Sequence, residues 1–232
     1  MNDARVLGAW QQSERRGGRH AALLGVLAFW MALIAAIHHY PGAYDWRYMT
    51  ISSLLYPDRD PQGYLWAWGG VVLCGLGGLW RAWELRGQRW LLRVGFIFMI
   101  ACALWPPQAL RLPKGHELLA LTSFISLGAG IVQRTWSGTL GIVSRLQSAA
   151  RARRWALGTC TLALLPIAGA GASQAYISYA LPTLPWVGMV WRTRGIPISL
   201  SFAFWEWLTC ALLSGYWLVL ALLPVELVPR EP

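Results

Sequence analysis

Apolar residues in this chain come in long blocks, and polar residues are confined to the gaps between them. Residues 1–20 are polar and basic; Ala21 to Ile37 is then almost wholly apolar, up to the pair His38 and His39. A run of that length falls within the roughly 17 to 25 residues that cross a hydrocarbon core, so it predicts a first membrane span. Residues 40–61 are mixed, and Pro41, Gly42, Pro57 and Pro61 interrupt any continuous helix there. A long loop therefore precedes the second span, Tyr64 to Trp80.

The third span is expected from Leu91 to Trp105, where Pro106 and Pro107 remove backbone donors and stop it. The fourth is expected from Glu117 to Val132, with His116 and Gln133 at its two interfaces. Residues 134–154 hold five arginines and no acid, and Trp136, Leu140, Val143 and Leu146 recur at a spacing that suits a helix lying on the membrane surface or a plain connecting loop. The fifth span is expected from Trp155 to about Tyr179 and the sixth from about Leu200 to Leu223, with Pro224 opening the tail. Between them, Pro182, Pro185, Trp186, Trp191 and Pro197 suggest an ordered or membrane-associated loop. The pattern thus predicts an all-α polytopic bundle of six transmembrane helices: residues 1–20 as an N-terminal segment, 21–223 as the membrane domain and 224–232 as a tail.

Composition supports the same solvent. Of 232 residues, 56% are hydrophobic and only 13% charged, against about 25% charged in a soluble domain. The charged start followed by an apolar run has the outline of a signal peptide, but no small-residue cleavage site precedes a soluble domain, so a retained first span is expected. Cys74, Cys102, Cys160 and Cys210 lie singly in apolar segments without paired spacing and read as small buried hydrophobes.

The net charge of +10 raises the question of nucleic acid. The arginines, however, stand between apolar blocks with no motif that reads nucleic acid, so anionic lipid headgroups are the expected partner and nucleic acid is not. Fourteen basic residues fall on the N-terminal side of the expected bundle, among them Arg5, Arg15, Arg16, Arg19, Arg81, Arg93 and Arg134. Six fall on the other: Arg47, Arg59, Arg111, Lys114, Arg192 and Arg194. Short cytoplasmic loops retain basic residues, so both termini are expected in the cytoplasm. Gly69, Gly70, Gly75, Gly77 and Gly78 in the second span, with Gly169 and Gly171 in the fifth, allow close helix contact, within the chain or with a second copy or another membrane protein.

The rare polar groups sort to the opposite side. Asp45, Asp58, Asp60, Glu117 and Glu206 all belong to outer loops or outer halves of spans, with His38, His39 and His116. Glu206, inside SFAFWEWLTC, needs a partner or a proton, since an unpaired carboxylate within a span is costly; Arg192, Arg194, His116 and Tyr176 are the candidates. His116, Glu206, Asp58 and Asp60 are the candidate acid–base residues. Ser52, Ser53, Arg47, Arg59, Glu117 and Arg192 are candidate substrate contacts, arginine because its planar fork matches phosphate. Glu117 also has a plain role at a helix N-terminus, and the serines as loop caps. HE alone lacks zinc-protease spacing and no GxSxG is present, so the residues name neither a metal nor a cofactor.

The segments ISSLLYPDRDPQG, ALWPPQALRLPKGHELLALTSF and FWEWL resemble the bacterial six-span group known as domain-of-unknown-function family 998, itself distantly similar to the FRAG/DRAM/Sfk membrane proteins. In the family's first motif an acid stands where Ser53 does here. The resemblance implies a bacterial inner-membrane protein with a lipid-related role. The leading expectation is therefore a protein that binds, moves or helps remodel a lipid-like substrate through an outward-facing polar pocket. An intramembrane hydrolase or transferase acting on a lipid ester, amide or phosphate is the alternative, and a non-catalytic assembly factor the third. No internal repeat or broken-helix pair favours a transporter.

Overall fold

A computed structural model describes residues 3–85, 90–104, 115–143, 149–180 and 190–222. Every regular element in them is helical: α1 (Asp3–His39), α2 (Tyr64–Glu84), α3 (Trp90–Leu104), α4 (Gly115–Val143), α5 (Ala149–Ala180), the short α6 (Val190–Thr193) and α7 (Phe202–Leu222), with 3-10 turns at Ile51–Leu55 and Ile198–Leu200. Segments Gly17–His39, Leu118–Trp136, Ala156–Ile177 and Phe202–Val219 are long and apolar enough to cross a membrane, with mean hydropathies of 2.2, 1.3, 1.5 and 1.2. The chain is a polytopic all-α membrane protein.

The two remaining expected spans are helices of different character. In α2 five glycines and five aromatic residues dilute the hydropathy of a 21-residue helix. At 15 residues α3 is about 22 Å long, short of a hydrocarbon core of about 30 Å. Pro106 and Pro107, beyond it, lie outside the described residues, as do Pro182, Pro185, Trp186, Arg111, Lys114 and the tail from Pro224.

Several helices overrun the limits expected from apolarity alone. The first begins at Asp3, inside the segment expected to be a separate polar arm, because no proline separates that arm from the span. Residues 134–143 prolong α4 and residues 149–154 open α5, so no separate surface helix forms in the described part of that stretch. A membrane protein's helices leave the bilayer without needing to stop, and polarity marks the exit rather than the end.

The main helices form a closed ring in which each packs on its chain neighbour and α7 returns to pack on α1. On α1 the alternation is visible residue by residue. Ala22, Val26, Phe29, Leu33 and Ala36 are buried, while Leu24, Leu27, Met31 and Ile34 on the other side are 58–65% exposed. A helix apolar all round, with only one side covered by protein, is in its proper solvent only in lipid.

The antiparallel α1–α2 contact depends on the small residues of α2. A side chain on Gly77 would strike the carbonyl of Ala21, and one on Gly70 the Ala32 methyl. Gly95 and Gly130 do the same for α3 and α4, and Gly169 accepts the Trp205 ring on α7. These glycines are thus used inside the chain, where close approach strengthens dispersion contacts that lipid cannot replace. Gly69 and Gly171 face open space.

Candidate functional site

Loop one is the feature that organises the outer end of the bundle. Thr50 caps its 3-10 turn, accepting the Ser53 N–H at 3.1 Å, and the Ser53 hydroxyl donates to the Thr50 carbonyl at 2.6 Å. Tyr44 donates its hydroxyl to the carbonyls of Met49 and Thr50 at 3.0 and 2.8 Å. From the far end of the sequence, the Trp207 indole donates to the Met49 carbonyl at 3.0 Å. The loop is thereby tied down over the bundle.

Glu206 completes that fastening. Its carboxylate, 4% exposed, accepts the Ile51 backbone N–H at 2.9 Å and the Ser52 hydroxyl at 2.7 Å. The exposed N–H groups at the start of a helical turn suit a carboxylate, which answers how this acid tolerates its position in α7. The partner is the turn of loop one, not Arg192, Arg194, His116 or Tyr176. No periodicity relates residues 155 positions apart, so the sequence carried no signal for this pairing.

Beneath the turn lies a cavity of about 80 Å³. Ile51, Ser52 and Leu55 cover it, α1 to α4 and α7 wall it, and Leu213 and Trp217 lie at its deeper part. Its lining is apolar apart from Glu206, Ser52, Ser123, Ser214 and three cysteines, Cys74, Cys102 and Cys210. The Ser123 hydroxyl is itself committed, donating to the Gly95 carbonyl at 2.9 Å. Read from the sequence as small buried hydrophobes, Cys74 and Cys102 are buried and Cys210 partly so, but isolated cysteines in apolar runs carry no signal of a shared cavity.

The other candidate residues fall into two further clusters around loop one. In the first, His116 is buried with its Nδ1 3.4 Å from the Cys102 sulfur and its ring edge-on to Tyr56, 5.7 Å between centroids. Arg59 lies over the opposite partner of that stack, 5.1 Å from the Tyr56 ring centre. Among the described residues His116 does not line the cavity; Cys102 stands between. In the second cluster Arg47 grips Asp45 through two bonds of 2.8 Å, and Arg192 reaches the same carboxylate at 3.4 Å. Arg47 holds the Asp45 carboxyl below its ordinary range, outweighing its partial burial.

Asp58 and Arg59 are exposed. Asp60 is fully buried at the foot of α2, where Oδ1 accepts the Gly63 N–H at 2.9 Å and Oδ2 has no hydrogen-bond partner. Burial raises its carboxyl, with the Gly63 bond and nearby His39 opposing. The Glu117 side chain lies outside the described residues. Among the described residues no group of three or more His, Cys, Asp or Glu is placed to hold a metal ion. No family model matches the chain, and neither a curated protein nor a solved structure is similar to it.

Proposed function

We propose that this chain is a six-span protein of a bacterial inner membrane, both termini cytoplasmic, that binds and thereby helps move or remodel a lipid-like molecule. The resemblance to the six-span family of unknown function is part of that reading. In it, one apolar chain end enters the bundle below the turn of loop one that Glu206 fastens. The observation that carries it is the cavity: apolar walls, a buried carboxylate at one end, and a cover made from a loop instead of a helix.

Size limits the ligand. A water occupies roughly 10–15 Å³ of such a volume, and a cavity of about 150 Å³ holds benzene. About 80 Å³ therefore suits the end of a single chain and excludes a whole two-chain lipid, whose bulk stays among the outer faces of the helices. The test is the lipid retained through purification, counted by native mass spectrometry. Ala120→Leu, which fills the cavity wall, is expected to lower tightly held lipid at least severalfold. Equal retention in this variant and the parent, both folded, would sink the reading.

One contact favours a second reading, acyl transfer. The Cys102 thiol faces the cavity with an imidazole at its back. In that reading His116 takes the thiol proton as sulfur bonds to an ester carbonyl carbon, the carbon–oxygen bond breaks, and the proton passes to the leaving alkoxide. Water then releases the acid and restores the thiol. A peptide containing Cys102 with an added acyl mass, lost in His116→Ala, is its signature; unmodified Cys102 together with unchanged lipid turnover in Cys102→Ala would dismiss it.

A further inference from the structure

The cavity beneath loop one ends abruptly, and at one level. Its deepest lining residue is Val26 on α1, Cys74 on α2, Phe96 on α3, Leu127 on α4 and Trp217 on α7. One helical turn deeper, Ala22, Gly78, Leu92 and Ile131 are buried, yet among the described residues none of these four reaches the cavity. On α7 the lining runs from Glu206 to Trp217, about three turns or roughly 16 Å of helix. The void is therefore a narrow shaft, closed at its foot by packed side chains.

Two aromatic rings make that foot. Phe96 and Trp217, 1% and 5% exposed, pack with their ring centres 5.0 Å apart and their planes tilted by 35°. The Phe96 ring fills the space that a side chain on Gly78 would need, so it rests against α2 and has no room to retreat that way. Beneath the pair, Leu92 and Ile131 belong to the packed core. An interior at near-crystal density admits no further methylene unless a side chain moves.

We propose that Phe96 and Trp217 are the floor on which an entering acyl chain stops, and that this pair sets the length of chain the bundle holds. This role rests on the reading that a chain enters beneath loop one, and it names the residues that select among such chains. A chain too short leaves the foot of the shaft empty and forfeits the contacts of its lining. One too long keeps its surplus outside, where neighbouring lipid offers the same contacts. Retention by the bundle therefore gains from added length only until the floor is met.

The test uses the full-length protein in phosphatidylcholine nanodiscs doped with a phospholipid that carries a diazirine at the end of one acyl chain. After irradiation, adducts are mapped by peptide mass spectrometry. In the parent, chain-end adducts inside the bundle are expected to reach Leu213 and the floor pair and to go no deeper. In Trp217→Leu they are expected to shift one turn deeper, to Leu92 and Ile131. Phe96→Leu opens the same floor from α3, is expected to give the same shift, and serves if the first variant does not fold. Adducts on Leu92 or Ile131 in the parent, or an unchanged depth in a folded variant, overturn the floor and leave the cavity reading standing. A parent without cavity adducts overturns that reading and the floor with it.

Discussion

The two ends of this bundle handle buried charge in opposite ways. Under loop one, the Glu206 carboxylate has a donor for each oxygen, from a turn that is itself capped and pinned. At the other end, Arg81 meets Glu84 at 3.2 Å, the Gly18 N–H takes the second Glu84 oxygen, and the Arg81 Nε is buried with no hydrogen-bond partner among the described residues. A buried charge whose bonds are filled by its own chain works as a fastener. One with a donor left open is fastened less completely.

If Glu206 is a fastener, its removal gives the largest effect. Glu206→Ala leaves the Ile51 N–H and Ser52 hydroxyl without an acceptor and is expected to destabilise by about 3 kcal/mol in a denaturant titration, with Glu206→Gln losing about half as much. A loss below about 0.5 kcal/mol would contradict that role.

The arginine end also relies on close backbone contact between α1 and α2, so steric changes should be felt there. Gly77→Ala forces a methyl onto the Ala21 carbonyl and is expected to cost about 2 kcal/mol by thermal melt, whereas Gly69→Ala, facing open space, should lie within about 0.5 kcal/mol of the parent. Equal effects at the two glycines would remove the packing explanation.

The smallest effects separate two acids within loop one itself. Asp45 is stabilised as a carboxylate by Arg47, so its contribution is present above the unfolded value of 3.8 and is lost as pH falls through its lower folded value. Asp60 has the opposite sign: burial raises its carboxyl, so stability declines as pH climbs from 3.8 through the higher folded value. Asp45→Asn should cost less than about 1 kcal/mol at neutral pH, because its arginines are partly exposed, and Asp60→Asn should flatten the decline. Melts across pH 3 to 7, compared for parent and variants, check both signs.

Much of the fold was legible because a membrane imposes a simple rule on sequence. Apolar blocks located each main helix, and α7 begins and ends within two residues of its expected bounds. Helix ends were less legible, since α1 and α4 continue into polar sequence that no proline interrupts. The rare polar residues were expected together on one side of the bundle, and there loop one meets His116 at the start of α4 and Glu206 near the start of α7. What they could not convey was how the neighbours divide. Glu206 chose a backbone N–H that has no side-chain identity, His116 met a cysteine that read as filler, and Asp45 gathered the two arginines set aside for phosphate. The arginine end was missed because arginines on that side satisfied an orientation rule, which asks only how many there are and not whether each has a partner.

The central claim is that a lipid chain enters the bundle beneath loop one, and photo-crosslinking tests it most directly. The protein is reconstituted with a phospholipid carrying a diazirine near the end of one acyl chain, irradiated, and mapped by peptide mass spectrometry. The account predicts adducts on cavity residues such as Met99, Phe124 and Leu213, lost in Ala120→Leu, beside the background on outward-facing Leu76, Ile97 and Ile125. Adducts confined to the outward-facing residues, identical in parent and variant, would contradict it.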